Sequence, residues 1–127
     1  MSAQLEHANI TVTDPEATSA WMVKIFGWHI RWQGDAIAGG RTVHVGTQND
    51  YIALYTPKDG LETAPSSYTT VGGLNHIGIV VDDLDAAEAA IKSHGFETKN
   101  HADYEPGRRF YFHDDDGVEY ELVQYGG

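Results

Sequence analysis

The chain has 127 residues, 41% hydrophobic and 21% charged, which is typical of one soluble domain with a sizeable core. The 19 acidic and 8 basic residues give a net charge of −11, which disfavours nucleic acids and anionic membrane surfaces as partners, and no apolar run is long enough to span a bilayer. The absence of cysteine excludes disulfides, thiolate metal sites and thiol nucleophiles.

The amino-terminal residues MSAQLEHANITV lack the basic start and apolar stretch of a secretory signal, so we expect a cytoplasmic protein. Residues 5–12 alternate polar and apolar side chains, which predicts a half-buried strand. Residues 13–16 then predict a helix start, with Thr13 as the cap and a glutamate three positions later, and Gly27 predicts its end. Further strands are predicted at 29–33, 42–46 and 51–55.

The second half of the chain repeats this order after a segment rich in Pro, Ser, Thr and Gly, residues 58–73, which we interpret as a linker. A strand begins near Leu74, and Asp82 or Asp83 caps a helix that ends at Gly95. Strands are then predicted at 97–100, 108–113 and 118–125.

The two halves also match in sequence. LEHANITVTD, residues 5–14, and LNHIGIVVDD, residues 74–83, share Leu, His, Ile, Val and Asp at the same places, 69 positions apart. Similarity at a constant offset indicates an internal structural repeat. The pattern predicts an α+β fold of two βαβββ modules, module 1 at about 4–57 and module 2 at about 74–125, in a single domain that covers residues 1–127.

Strand alternation assigns each residue to a face of its sheet. If the apolar residues pack against the helices, His7 and His76 lie on the opposite faces, and Glu119 and Glu121 share the opposite face of the last strand. A single histidine at a strand start seldom binds metal, but two at equivalent positions beside a carboxylate favour a metal site. We therefore predict that His7, His76 and Glu121 bind one divalent ion, Fe, Mn, Zn, Ni or Co, with coordination positions left open for substrate.

Other polar residues are weaker candidates. Glu119 is a candidate general base, although a solvated carboxylate at the rim is the alternative. Arg108 or Arg109 can hold an anionic substrate group, with an ion pair to Asp103 or Glu105 as the alternative. The predicted substrate-binding residues are Tyr51, Tyr55, His44 and Arg109.

These motifs, together with RRFYFHDDDGVEYELVQY at the end of the chain, resemble the vicinal oxygen chelate superfamily, also called the glyoxalase/bleomycin resistance/dioxygenase superfamily. The resemblance implies that the modules form a cup-shaped mixed sheet with helices on the outer face, and that metal binds inside from their first and last strands. It places His7, His76 and Glu121 at three ligand positions and Ala53, which cannot bind metal, at the fourth.

The resemblance disfavours glyoxalase I activity, which uses four protein ligands, and the three-ligand set is similar to extradiol dioxygenases and fosfomycin-modifying transferases. The first hypothesis is a metal-dependent enzyme that acts on a small oxygenated molecule through bidentate chelation. The alternative is a metal-free binding protein of the bleomycin-resistance type. A purely structural dimerisation module leaves the matched histidines unexplained. A homodimer is expected, with modules paired within one chain or between two.

Overall fold

The computed structural model describes residues 2–63, 67–104 and 107–126. The chain divides into two compact units, residues 1–62 and 63–127, and the division falls inside the segment predicted as a linker. Each unit has the order βαβββ, which confirms the predicted α+β class. The elements are β1 (His7–Thr11), α1 (Pro15–Phe26), β2 (His29–Asp35), a short 3-10 helix (Ile37–Gly39), β3 (Arg41–Gly46), β4 (Tyr51–Thr56), β5 (Ile77–Val80), α2 (Leu84–His94), β6 (Thr98–Tyr104), β7 (Gly107–His113) and β8 (Glu119–Tyr125).

Each unit contains one four-stranded mixed sheet. The strand orders are β1-β4-β3-β2 and β5-β8-β7-β6, and only the first pair in each order is parallel. Asn9 lies opposite Ala53 in the first sheet, and Gly78 lies opposite Glu121 in the second. Since Asn9 and Gly78 are also 69 positions apart, Ala53 and Glu121 occupy equivalent places in the two units.

Both helices begin at an aspartate. Asp14 caps α1 by accepting a hydrogen bond from the backbone N–H of Ala17 at 3.1 Å, so the prediction of Thr13 as the cap is wrong. Asp83, rather than Asp82, caps α2 through the N–H of Ala86 at 3.0 Å. An aspartate carboxylate satisfies an N–H group that the first helical turn leaves without a partner.

The core of each unit lies between its helix and one face of its sheet. In the first unit α1 packs on β3 and β4, where Val43 and Leu54 are buried, and in the second α2 packs on β8, where Leu122 is buried. The burial of Ile10, Leu54 and Leu122 follows the predicted alternation, which puts His7 and Glu121 on the opposite faces, although Ala8, expected to pack, is exposed and Val123, expected on the open face, is buried. The other core residues include Val12, Met22, Val45, Ile52, Ile79, Leu84, Ile91, Phe112 and Tyr120.

A buried aspartate shapes the turn between β7 and β8. Asp114 Oδ1 accepts hydrogen bonds from the backbone N–H groups of Asp116 and Val118, each at 3.0 Å. Its Oδ2 accepts a hydrogen bond from the buried hydroxyl of Tyr120, also at 3.0 Å. These three bonds fix the start of β8, the strand that carries Glu119 and Glu121.

Burial of Asp114 predicts a pH-dependent contribution to stability. Desolvation raises the pKa of its carboxyl above the ordinary 3.8, although its hydrogen bonds act in the other direction. A raised folded-state pKa stabilises the fold below the unfolded-state value, and this contribution is lost as pH rises through the folded-state pKa. We therefore expect the free energy of unfolding of the natural chain to fall, relative to Asp114→Asn, as pH rises from about 3 to about 6.

Urea unfolding of both proteins across this pH range measures the effect. Asparagine keeps an acceptor oxygen for the turn but carries no charge, so the difference between the two curves isolates the ionisation of Asp114. A difference that is constant with pH, or that grows in favour of the natural chain, contradicts the assignment.

Candidate metal and ligand site

His76 and Glu121 meet on the face of the second sheet that points away from α2. Parallel pairing of β5 with β8 sets Ile77 opposite Tyr120, which brings His76, the residue just before β5, beside the start of β8. His76 Nε2 lies 3.1 Å from Glu121 Oε1. Both side chains are largely shielded from solvent, with 31% of His76 and 13% of Glu121 exposed.

A neighbouring amide orients the ring of His76. Its Nδ1 lies 2.8 Å from the side-chain oxygen of Asn75, so with the proton on Nδ1 the lone pair of Nε2 faces Glu121. With the proton on Nε2 instead, the same pair is an ordinary N–H···O hydrogen bond at 3.1 Å. Two donors about 2.1 Å from one metal and at right angles are about 3.0 Å apart, so the observed separation fits a shared metal ion.

His7 has the same local arrangement in the first unit. Its Nδ1 forms a hydrogen bond with Oε1 of Glu6 at 2.8 Å, and Glu6 is the repeat equivalent of Asn75. This hydrogen bond is the main reason that the pKa of Glu6 is lowered. The ring of His7 stacks on that of Tyr51, with centroids 4.8 Å apart. Both predicted histidine ligands thus present Nε2 as the available donor atom.

Glu119 is buried, with 4% of its side chain exposed, so the alternative of a solvated rim carboxylate is wrong. Its two oxygens accept from the hydroxyl of Tyr68 at 2.5 and 2.7 Å. His76 Nδ1 and His113 Nε2 lie 3.7 and 3.6 Å from the same carboxylate. The hydrogen bond to Glu119 raises the pKa of Tyr68. Sequence analysis missed Tyr68, because no periodic pattern gives the direction of a side chain in the connecting segment.

The two adjacent arginines have different partners. Arg109 Nη1 donates to Glu121 Oε2 at 2.9 Å, whereas Arg108 donates to Asp85 at the start of α2, at 2.8 Å. The ion pair of Arg109 therefore forms with a predicted metal ligand and not with Asp103. Glu105, the other predicted partner, lies outside the described residues.

Aromatic rings cover the equivalent face of the first sheet. His44 lies opposite Ala53, and its ring is 4.7 Å from that of Tyr51 and 5.3 Å from that of Trp32. Burial is the main cause of a lowered pKa for His44. Tyr55 lies opposite Thr11 on the same face. Trp32, which the sequence pattern did not single out for this face, is 51% exposed and offers a flat apolar surface.

The structure brings together two sets of predicted residues. His76, Glu119, Glu121 and Arg109 cluster in the second unit, and His7, Tyr51 and His44 in the first. Within residues 2–63, 67–104 and 107–126, no three His, Asp or Glu side chains are close enough to form a metal site by themselves. In the same ranges, neither helix has the length and hydropathy of a membrane span.

Comparison with known proteins gives one family. The model of the Glyoxalase/Bleomycin resistance protein/Dioxygenase superfamily matches residues 4–122. The uncharacterized protein YaeR of Escherichia coli (strain K12) is 29% identical in an alignment of 133 positions that covers 95% of each chain.

Two solved structures share the fold. The fosfomycin resistance protein FosX from Listeria monocytogenes, complexed with Mn(II) and a sulfate ion, superposes with a TM-score of 0.73 at 22% identity, over 99% of this chain and 95% of FosX. TnmS3, an antibiotic binding protein from Streptomyces sp. CB03234, gives 0.72 at 20% identity, over 98% of each chain. The fold is thus found both in a protein that holds a metal ion and in one that binds an antibiotic.

Proposed function

The chain belongs to the glyoxalase/bleomycin resistance protein/dioxygenase superfamily, and from that premise we propose that it is a metal-dependent enzyme acting on a small oxygenated molecule. One arrangement supports the proposal above all. His76, oriented by Asn75, directs a ring nitrogen at an oxygen of Glu121 at a distance that suits two ligands of one metal ion.

His7 is the third proposed ligand, contributed by module 1 of the same chain or of a second copy in a homodimer. Its repeat equivalence to His76 and its matching Nδ1 hydrogen bond support this role. Ala53 stands where a fourth ligand is expected, so the proposed set contains three protein donors. A divalent ion held by these residues would be chelated by two neighbouring oxygens of the substrate, and its positive charge would stabilise a developing oxyanion.

Glu119 is the proposed general base. It shares the face of Glu121 on β8, and its burial places a carboxylate away from bulk water, where proton transfer to and from a bound molecule is favoured. The hydroxyl of Tyr68 donates to it and keeps it in one position. Tyr51, Tyr55 and His44 are proposed to contact the substrate, since they project from the equivalent face of the first sheet.

A metal-free binding protein is the second candidate. Arg109 already neutralises one oxygen of Glu121, and Ala53 supplies no ligand, so the residues present are also compatible with binding of an organic molecule without metal. The aromatic rings of Trp32 and Tyr51 suit a flat ligand. The proposed partners are therefore a small molecule and a second copy of the chain, and a cytoplasmic location stays a prediction.

Equilibrium dialysis of chelator-stripped protein separates the two candidates. The enzyme hypothesis expects the natural chain to take up one Fe²⁺, Mn²⁺, Zn²⁺, Ni²⁺ or Co²⁺ per site, and expects Glu121→Gln, which keeps the shape but removes the anionic donor, to lose this uptake. If the natural chain retains none of these ions, the result would favour the metal-free binding protein.

A further inference from the structure

The two oxygens of Glu121 are in different environments. Oε1 faces His76 at 3.1 Å, and Oε2 accepts a hydrogen bond from Arg109 Nη1 at 2.9 Å. The side chains of Glu121 and Arg109 are only 13% and 16% exposed, so this ion pair is weakly screened by water. The carboxylate therefore has one oxygen next to His76 and one paired with Arg109, and the hydroxyl of Tyr111 is a further hydrogen-bond partner of this carboxylate.

Several contacts hold the guanidinium of Arg109 in place. Arg109 lies opposite Val123, two residues along β8 from Glu121, which is the diagonal distance that a long side chain spans. Its guanidinium carbon is 5.1 Å from the ring centre of Tyr104, and its Nη2 donates to the backbone oxygen of Gly107 at 3.4 Å. These contacts make the arginine a fixed neighbour of the carboxylate.

A contribution to the stability of the fold does not explain well why Arg109 is paired with Glu121. The Nε atom of Arg109 is buried, and it has no hydrogen-bond partner within the described parts of the chain. Leaving a donor unsatisfied is unfavourable, and a buried ion pair is often no more stabilising than apolar residues of the same size. The arginine therefore suits a role in setting the properties of Glu121.

We propose that Arg109 restricts Glu121 to a one-oxygen metal ligand and weakens metal binding, which keeps coordination positions free for substrate. The inference rests on the proposed function. A carboxylate binds a metal ion through one or two oxygens, and an arginine hydrogen bond on Oε2 leaves only Oε1. The guanidinium is positively charged and contacts the same carboxylate, so it also repels a metal ion bound to the other oxygen of Glu121 in this partly buried site.

Arg109→Met and Arg109→Lys test the inference. Methionine removes the charge and the hydrogen bond but keeps an unbranched apolar chain, so Mn²⁺ should bind about tenfold more tightly than to the natural protein. Lysine keeps the charge without the planar fork, so its gain in affinity should be smaller. The measurement is the free Mn²⁺ signal in electron paramagnetic resonance during a titration of stripped protein, with thermal unfolding as the check on folding.

A second measurement reports the binding mode of the carboxylate. In the Mn²⁺-loaded Arg109→Met protein the infrared carboxylate bands should move towards the pattern of two-oxygen binding, with Glu121→Gln used to assign the bands. Arg108→Met is the matched control, because Arg108 pairs with Asp85 and should leave Mn²⁺ affinity unchanged.

The possible outcomes separate this inference from the proposed function. Tighter Mn²⁺ binding by Arg109→Met than by the natural protein supports both. If the natural protein binds Mn²⁺ as tightly as folded Arg109→Met, or more tightly, the inference alone is overturned. Tighter binding by the natural protein would show that the arginine aids metal binding. Absence of Mn²⁺ binding by both proteins overturns the inference and the metal-dependent function together.

Discussion

Replacing His76 by alanine should weaken divalent metal binding on the order of 100-fold or more, because changes to the groups around a ligand already weaken it by about 10–100-fold. The variant removes His76 Nε2, which lies 3.1 Å from Oε1 of Glu121, and so removes one of the two proposed ligand atoms of the second unit. Isothermal titration of chelator-stripped protein with Zn²⁺ or Mn²⁺ measures the change. The fold should survive, since 31% of the His76 side chain is exposed and it lies outside the packed core.

His101→Ala is the control for this experiment. His101 Nε2 lies 2.5 Å from Glu88, so it is also a histidine beside a carboxylate, but it is 56% exposed and belongs to no predicted ligand set. Its removal should leave metal affinity unchanged. Equal losses in the two variants would mean that the ions bind to surface histidines, and the assignment of His76 as a ligand would then be wrong.

Replacing Phe112 by alanine should lower the free energy of unfolding by about 3–5 kcal/mol, the usual cost of removing a buried aromatic ring. Phe112 is completely buried, and its ring stacks on Phe96 at 5.6 Å and on Tyr120 at 5.0 Å. It therefore joins the segment after α2 to the start of β8. Urea unfolding followed by circular dichroism measures the loss.

The same variant tests the assignment of faces. Phe112 is buried on the core side of β7, while the residue before it, Tyr111, lies opposite Glu121 on the other face. Metal affinity per folded molecule should therefore be retained in Phe112→Ala, and Phe112→Leu should lose only about 1 kcal/mol of stability. A large loss of metal affinity in a variant that is still folded would contradict the separation of core and site.

The fold was predictable because two signals in the sequence are strong. A period of two in the strands assigned the buried and open faces, and the repeat that pairs His7 with His76 predicted equivalent modules. The strand register, rather than the 69-residue offset, sets Ala53 and Glu121 at equivalent positions, since that offset would match Glu121 with Ile52. Caps were harder to place, since Thr13 and Asp14 are both good capping residues and only the backbone conformation distinguishes them.

The contacts around the candidate ligands were less predictable. Tyr68 reaches Glu119 across 51 residues from a segment without periodicity, so no local signal points to the pair. The contact between Arg109 and Glu121, in contrast, was predictable from the sequence pattern. Because Phe110 and Phe112 alternate into the core, Arg109 lies on the face of Glu121. Arg108 then lies on the side of α2. The hydrogen bonds from His7 and His76 to the residues before them depend on side-chain torsions that a sequence does not specify.

The most direct measurement of metal dependence is a titration of the stripped natural chain with Mn²⁺, followed by pulsed electron paramagnetic resonance of the loaded protein. We expect saturation at one ion per site and a coupling of Mn²⁺ to histidine ring nitrogen that is lost in His76→Ala. A natural chain that takes up no Mn²⁺ at saturable stoichiometry, and likewise no Fe²⁺, Zn²⁺, Ni²⁺ or Co²⁺, would contradict the proposed metal site and leave a metal-free binding protein as the function.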